Sequence, residues 1–233
     1  MPELPRLLVA ALAAAVLVPA ALSLSSPSPE TTLAEAPALA ALPPEPPPAG
    51  VAASSDTAVF AGGCFWGVEA VFEHLEGVTD AVSGFAGGSD PSPSYREVSA
   101  GTTGHAEAVR VVYDPARISY DQLLQVFFTV AHDPTQLNRQ GPDVGTQYRS
   151  AVFYRNAAQR EATERYLAKI RGARLYRDPV VTEVSALDTF HPAEEYHQNY
   201  LVRHPTQPYI VINDMPKLEE LRKRYPALYR ARG

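Results

Sequence analysis

The stretch TAVFAGGCFWGVEAVFEHLEG, Thr57 to Gly77, holds a change of period. Thr57-Ala58-Val59-Phe60 is a short β-prone run stopped by Gly62-Gly63. From Phe65 the apolar residues Phe65, Val68, Val71, Phe72 and Leu75 recur at spacings of three and four. That spacing predicts a helix, with Gly77 placed to end it. A strand feeding a helix through a glycine turn is the first half of a βαβ unit, and the rest of the chain continues in kind. Val78 to Phe85 reads as a strand before Gly87-Gly88, and Ala106 to Tyr113 (AEAVRVVY) alternates and is β-branched. Ser119 caps a helix carrying Leu123, Leu124, Phe127, Phe128 and Val130. His132 to Arg149 reads as a long polar loop. A strand follows over Ser150 to Tyr154, then a helix over Ala157 to Ile170 closed by Gly172, a strand over Val180 to Leu187, a short helix over Glu194 to Leu201 and a last helix starting at Met215-Pro216. Few strands, several of them alternating, predict an α/β (α+β) two-layer sandwich: a small mixed β-sheet with helices packed over it, of ferredoxin-like or plait type.

Outside this domain the composition changes. Arg6 precedes an apolar run from Leu7 to Leu24, interrupted by Pro19 and Ser23 and ending in small residues. Residues 1–24 read as an export signal, with an uncleaved N-terminal anchor as the alternative. No cysteine follows the run, which excludes lipid attachment through a thiol there. Residues 25–55 are rich in Ala, Pro, Ser and Glu, with Pro43-Pro44 and Pro46-Pro47-Pro48, and read as a disordered linker. The folded domain is expected over 56–233. The 233 residues carry a net charge of −6 and no long basic run, which argues against nucleic acid and anionic membrane surfaces as partners. At 45% hydrophobic residues the chain can bury a real core.

The chain has one cysteine, Cys64, and one tryptophan, Trp66. Cys64 falls at the predicted helix start, where unpaired N–H groups and the helix dipole favour a thiolate. A buried, inert cysteine is the competing reading. Phe65 and Trp66 point about 100° apart on a helix, so they cannot both face one core; one of them is expected to line a cavity beside Cys64. His105 and Glu107 share one side of their strand with Val109 and Val111. A carboxyl among apolar neighbours keeps its proton and can act as a general acid, whereas an exposed strand-end carboxylate cannot. Tyr95 and Tyr148 offer phenolic hydrogen bonds or simple packing. His191, Glu194 and His197 raise a metal-binding alternative, but match no known ligand spacing.

GGCFWG, GFAGG, SYREV, GTTGHAEAVRVVYDP, HDPTQLNRQGPDVGTQYRS, PAEEYHQNYL and PTQPYIVIND occur in that order. Together they resemble the A-type peptide-methionine sulfoxide reductases over about Thr57 to Tyr229. The resemblance implies reduction of methionine-(S)-sulfoxide, free or in proteins, and hence repair of oxidised proteins. It implies Cys64 as nucleophile, Glu107 as acid, Tyr95 and Tyr148 as ligands of the sulfoxide oxygen, and Asp143 as a residue orienting substrate and water. Phe65 and Trp66 would form a cup for the S-methyl group. It implies no metal or organic cofactor, only an external thiol reductant such as thioredoxin, a glutathione-type thiol or dithiothreitol. Two departures stand out. Phe85 occupies a position where many members have tyrosine, and no resolving cysteine is present, so a sulfenic acid on Cys64 must be cleared by another molecule's thiol. A one-cysteine peroxidase and a non-catalytic methionine-binding module are the rival readings. Export and a monomeric state are the remaining expectations.

Overall fold

The computed structural model describes residues 55–231. The expected export signal, residues 1–24, and the expected linker, residues 25–55 with Ser55 excepted, lie outside the described residues, as do residues 232 and 233. The first strand, β1 (Asp56–Gly62), leads through Gly63 and Cys64 into α1 (Phe65–Glu73), and β2 (Val78–Ala86) follows. A short α2 (Tyr95–Ser99) precedes β3 (Ala106–Tyr113). Next comes α3 (Tyr120–Val126), prolonged by a wider π-helical turn over Phe127–Ala131. A small hairpin, β4 (Arg139–Gln140) and β5 (Asp143–Val144), and a 3-10 turn (Thr146–Tyr148) lead to β6 (Ser150–Tyr154). The chain continues through α4 (Ala157–Gly172), β7 (Glu183–Ala186), β8 (Phe190–Pro192), a 3-10 turn (Glu195–His197), α5 (Tyr200–Arg203), a π-helical turn (Ile210–Asp214) and α6 (Met215–Arg224).

Six strands form one mixed sheet in the order β7-β6-β1-β3-β2-β8. β3 pairs antiparallel with both β1 and β2, so those two run parallel with α1 as their crossover. β6 pairs antiparallel with β1, and only β7 joins parallel, beside β6. The inner four strands in chain order (first, second, third, fourth) lie fourth-first-third-second, which is the plait topology expected from the sequence. One sheet face carries Phe60, Phe85, Val109, Val111 and Val152 against Phe72 of α1, Leu124 of α3 and Leu167 of α4. Phe60 stacks on Phe72 at 5.1 Å and on Phe127 at 4.8 Å. Burying each such ring contributes about 1.5–3 kcal/mol. The other face is lined by small residues, Ala61, Ala86, Ala106, Ala108 and Ala151, under Leu187 and Phe190.

Several local expectations are corrected. The stretch His132 to Arg149 is not one open loop but holds the β4–β5 hairpin and a 3-10 turn. Gly172 does not close its helix. It is the last helical residue, and the left-handed turn falls on Arg174 at φ 51°. The strand expected over Val180 to Leu187 is confined to β7. The helix expected over Glu194 to Leu201 is broken in two by Asn199, whose φ is 54°.

Candidate functional site

The strand registers gather the candidate residues at one end of the sheet. Phe60 of β1 faces Val109 of β3, so the next inward residue, Glu107, lies level with the turn that follows β1. Gly62 faces Ser150 of β6, which brings Tyr148 to the same end. Ala86 faces Ala106, so α2, entered soon after β2, starts there too. Cys64 caps α1 in this corner. Gly63 makes the turn possible: its φ is +89°, and a Cβ there would stand 2.5 Å from Gln140.

Cys64 is 8% exposed, and the Trp66 backbone N–H reaches toward its sulfur. The helix start therefore favours the thiolate, as the sequence implies, but it does not prevail. Burial, then the charges of Glu107 and Asp214, push the thiol well above its ordinary value, against smaller opposite effects from Trp66 and Lys217. Glu107 is 1% exposed, and its Oε2 accepts the N–H of Phe65 at 3.0 Å. Burial raises its acid to about 8; the Phe65 bond opposes this and Asp143 adds to it. Glu107 therefore holds its proton at neutral pH, and the exposed-carboxylate reading is excluded. Phe85 sits directly opposite Glu107 on β2, fully buried, so it supplies apolar surroundings to the acid where a tyrosine would supply a hydroxyl.

Tyr95 opens α2, with its ring stacked on Phe65 at 6.0 Å. Burial, then Glu107, push its phenol up to about 12. Tyr148 is raised by burial and then by Glu107, Tyr95 and Asp143. Two phenols thus keep their protons around one protonated carboxyl, a constellation of donors suited to an oxygen that gains negative charge. Asp143, on β5, accepts the hydroxyl of Tyr209 at 2.5 Å. Phe65 is buried and Trp66 half-buried, so Trp66 is the one of the pair that faces outward. All seven residues singled out from the sequence belong to this corner.

Others were not foreseen in the roles they take here. His197 takes the Trp66 indole N–H on Nδ1 at 3.1 Å, and Tyr200 stacks on the indole at 3.8 Å and 7°. Tyr209 meets its edge at 6.0 Å. An indole nitrogen only donates, so Nδ1 of His197 is unprotonated. Asp214 lies under α1, paired with Lys217 at 3.2 Å. The aromatic spacing of EYHQNY and PTQPY was the one available signal. Glu194 accepts the Tyr95 N–H at 3.1 Å. Among the described residues no three His, Cys, Asp or Glu side chains stand together to hold a metal ion.

Gly67 shows how closely α1 is docked. A Cβ there would stand 2.0 Å from Oδ1 of Asp214 and 2.7 Å from Nζ of Lys217. Alanine gains about 1 kcal/mol of helix propensity over glycine, but displacing a buried ion pair costs about 3 kcal/mol. Gly67→Ala is therefore expected to lose about 2 kcal/mol, lowering the melting temperature by about 4–8 °C. Calorimetry checks this, and an unchanged or raised melting point refutes it.

The family model for peptide methionine sulfoxide reductase matches residues 56–228. A peptide methionine sulfoxide reductase MsrA 2 of Mesorhizobium japonicum is 53% identical over 178 residues, covering 76% of this chain and 91% of the relative. The MsrA of Natronomonas pharaonis is 53% identical over 169 residues, 72% of this chain and 94% of the relative. Among solved structures, reduced Mxr1 of Saccharomyces cerevisiae is similar with a TM-score of 0.61 at 35% identity, covering 66% of this chain and 87% of that one. Methionine sulfoxide reductase A of Corynebacterium diphtheriae is similar with a TM-score of 0.57 at 38% identity, covering 71% and 84%.

Proposed function

The chain belongs to the peptide methionine sulfoxide reductase family, and on that footing we propose how its single thiol carries the reaction. The activity is thiol-dependent reduction of methionine-(S)-sulfoxide, free or in proteins, to methionine. In our reading the sulfur of Cys64 attacks the sulfoxide sulfur while Glu107 gives its proton to the sulfoxide oxygen. The attack joins the two sulfurs and the substrate S–O bond breaks; the hydroxide so released then adds to the Cys64 sulfur, and the S–S bond opens with its electron pair leaving on methionine. The proton of the Cys64 thiol restores Glu107, so the products are methionine and a sulfenic acid on Cys64. Tyr95 and Tyr148 hold the oxygen as its charge grows, Asp143 orients substrate and water, and Phe65 and Trp66 receive the S-methyl group, since sulfur and methyl groups pack well on aromatic faces. The observation that carries this reading is the buried, protonated Glu107 one hydrogen bond from the residue after Cys64.

No other thiol exists in the sequence, so the cycle closes through outside thiols. Two reductant thiols convert the sulfenic acid to thiol and water and leave as a disulfide, with no prosthetic group needed. A thioredoxin-like protein supplies both thiols from one molecule, and we propose it as partner to a monomeric enzyme. The basic-then-apolar segment 1–24 supports an exported enzyme, and fractionation of extracytoplasmic and membrane extracts tests this.

The experiment is turnover of each sulfoxide epimer with dithiothreitol and, separately, with thioredoxin and its reductase. Turnover of the S epimer alone is expected. With substrate and no reductant, dimedone is expected to label Cys64 stoichiometrically; the absence of an adduct refutes the sulfenic acid.

A further inference from the structure

The chemical step leaves a second buried carboxyl unused. Glu69 lies on α1, one turn beyond Phe65, and is 1% exposed. Its Oε2 accepts the backbone N–H of Asn199 at 3.1 Å. Burial, then the neighbouring Glu73, push its acid up to about 8.

Asn199 is in the left-handed region, φ 54° and ψ 33°, which asparagine tolerates better than other residues with a Cβ but which still favours a partner to hold it. This kink ends the 3-10 turn of Glu195–His197 and starts α5. The residues on either side of it both meet Trp66. His197 takes the indole N–H, and Tyr200 covers the indole face. Between them Gln198 clamps the segment to β2: it accepts the Ser83 N–H at 2.9 Å and donates to the Ser83 carbonyl at 2.9 Å and the Ala193 carbonyl at 3.0 Å. At the near end Glu194 holds the Tyr95 backbone. Residues 194–200 thus form a strap touching both Tyr95 and Trp66, and the bond to Glu69 falls at the strap's one left-handed residue.

We propose that Glu69 is a positioning residue for substrate binding: by holding the Asn199 N–H it fixes the kink that sets His197 and Tyr200 around Trp66, and so fixes the wall of the methyl cup. This rests on the reading of Trp66 as that wall. Glu69 touches neither substrate nor Cys64. A straight helix through 194–201 would carry His197 and Tyr200 on a different course from the indole, so the kink and the cup stand or fall together.

Trp66 is the only tryptophan in the sequence, so intrinsic fluorescence reads this ring alone. Glu69→Gln keeps an acceptor for Asn199, and Glu69→Met keeps the length without one. Glu69→Gln is expected to match wild type in emission and in KM for the S sulfoxide. Glu69→Met is expected to shift the emission maximum and to raise KM about tenfold with kcat within about threefold, the signature of lost substrate binding. Asn199→Val, at a half-buried strap position where a β-branched residue resists positive φ, is expected to do the same with Glu69 intact, whereas Asn199→Gly is expected to change neither. A folded Glu69→Met or Asn199→Val protein with wild-type emission and KM overturns the proposal; should Glu69→Met fail to fold, Asn199→Val decides alone. Emission is read on the resting protein. A wild-type chain that reduces neither epimer would therefore count against the reductase reading and leave the test of the strap intact.

Discussion

Cys64→Ser is expected to bring turnover of methionine-(S)-sulfoxide below about one-thousandth of wild type, with either reductant. The sequence makes this loss cleaner than in an enzyme with several thiols. No second cysteine exists to inherit the attack, and none to label in its place. Serine fits the space, so the fold survives, but a hydroxyl is a far weaker nucleophile toward sulfur and forms no sulfenic acid. Burial already holds the Cys64 thiol well above its ordinary value. In the proposed step its proton goes to a carboxyl that has just given its own to the substrate. The same variant decides between rival chemistries. A peroxidase working through Cys64 would also die with it, yet its wild type would turn over hydrogen peroxide faster than the S sulfoxide, and the methyl cup proposed at Phe65 and Trp66 predicts the reverse. A non-catalytic module that only binds methionine would bind equally well with serine. Retention of full reductase activity by Cys64→Ser would sink the assignment of the nucleophile.

The sheet and the site differ in how far they can be read from sequence. β3 and β6 have the bounds that alternation and β-branching predict, because each strand's pattern is local and its neighbours only ratify it. The Ser119 cap is equally local: its hydroxyl accepts the Gln122 N–H at 3.2 Å, and the Gln122 side chain returns the bond at 2.9 Å. Distant partners undo the local rule elsewhere. EEYHQNYL has helical spacing, but Glu69 and Ser83, more than a hundred residues earlier, hold a kink in its middle. β8 is three residues long and exists only through its pairing with β2. The thiol is the sharpest case. Position at a helix start is visible in sequence and favours the thiolate; burial beside Glu107 and Asp214 is not visible, and it outweighs the helix. The seven candidate residues come together because registers of strands far apart in sequence align them, which is why the resemblance to a family singled them out as a set and periodicity did not.

Glu107→Gln is expected to lower kcat for the S sulfoxide by about 10²–10⁴-fold, the usual contribution of a positioned general acid. Glutamine keeps the shape and can still accept the Phe65 N–H, so loss of activity would report loss of the proton and not collapse of the turn. The pH dependence makes the test specific. Glu107 ionises at about 8 in the folded protein against 4.5 ordinarily. Between those values the folded chain holds a proton that the unfolded chain has released. Its contribution to stability is therefore complete below about pH 4.5 and is lost as pH rises through about 8. Activity follows the same proton: wild-type kcat/KM is expected to fall above pH 8, where the acid is spent, while the small residual rate of Glu107→Gln shows no such descent. The variant is also expected to lose less stability than wild type between pH 6 and pH 9, since its amide has no proton to surrender. A kcat above a tenth of wild type in Glu107→Gln, or a descending limb that survives the substitution, would assign the acid to another group, and the phenols of Tyr95 and Tyr148, both held protonated across this whole range, are the alternative donors.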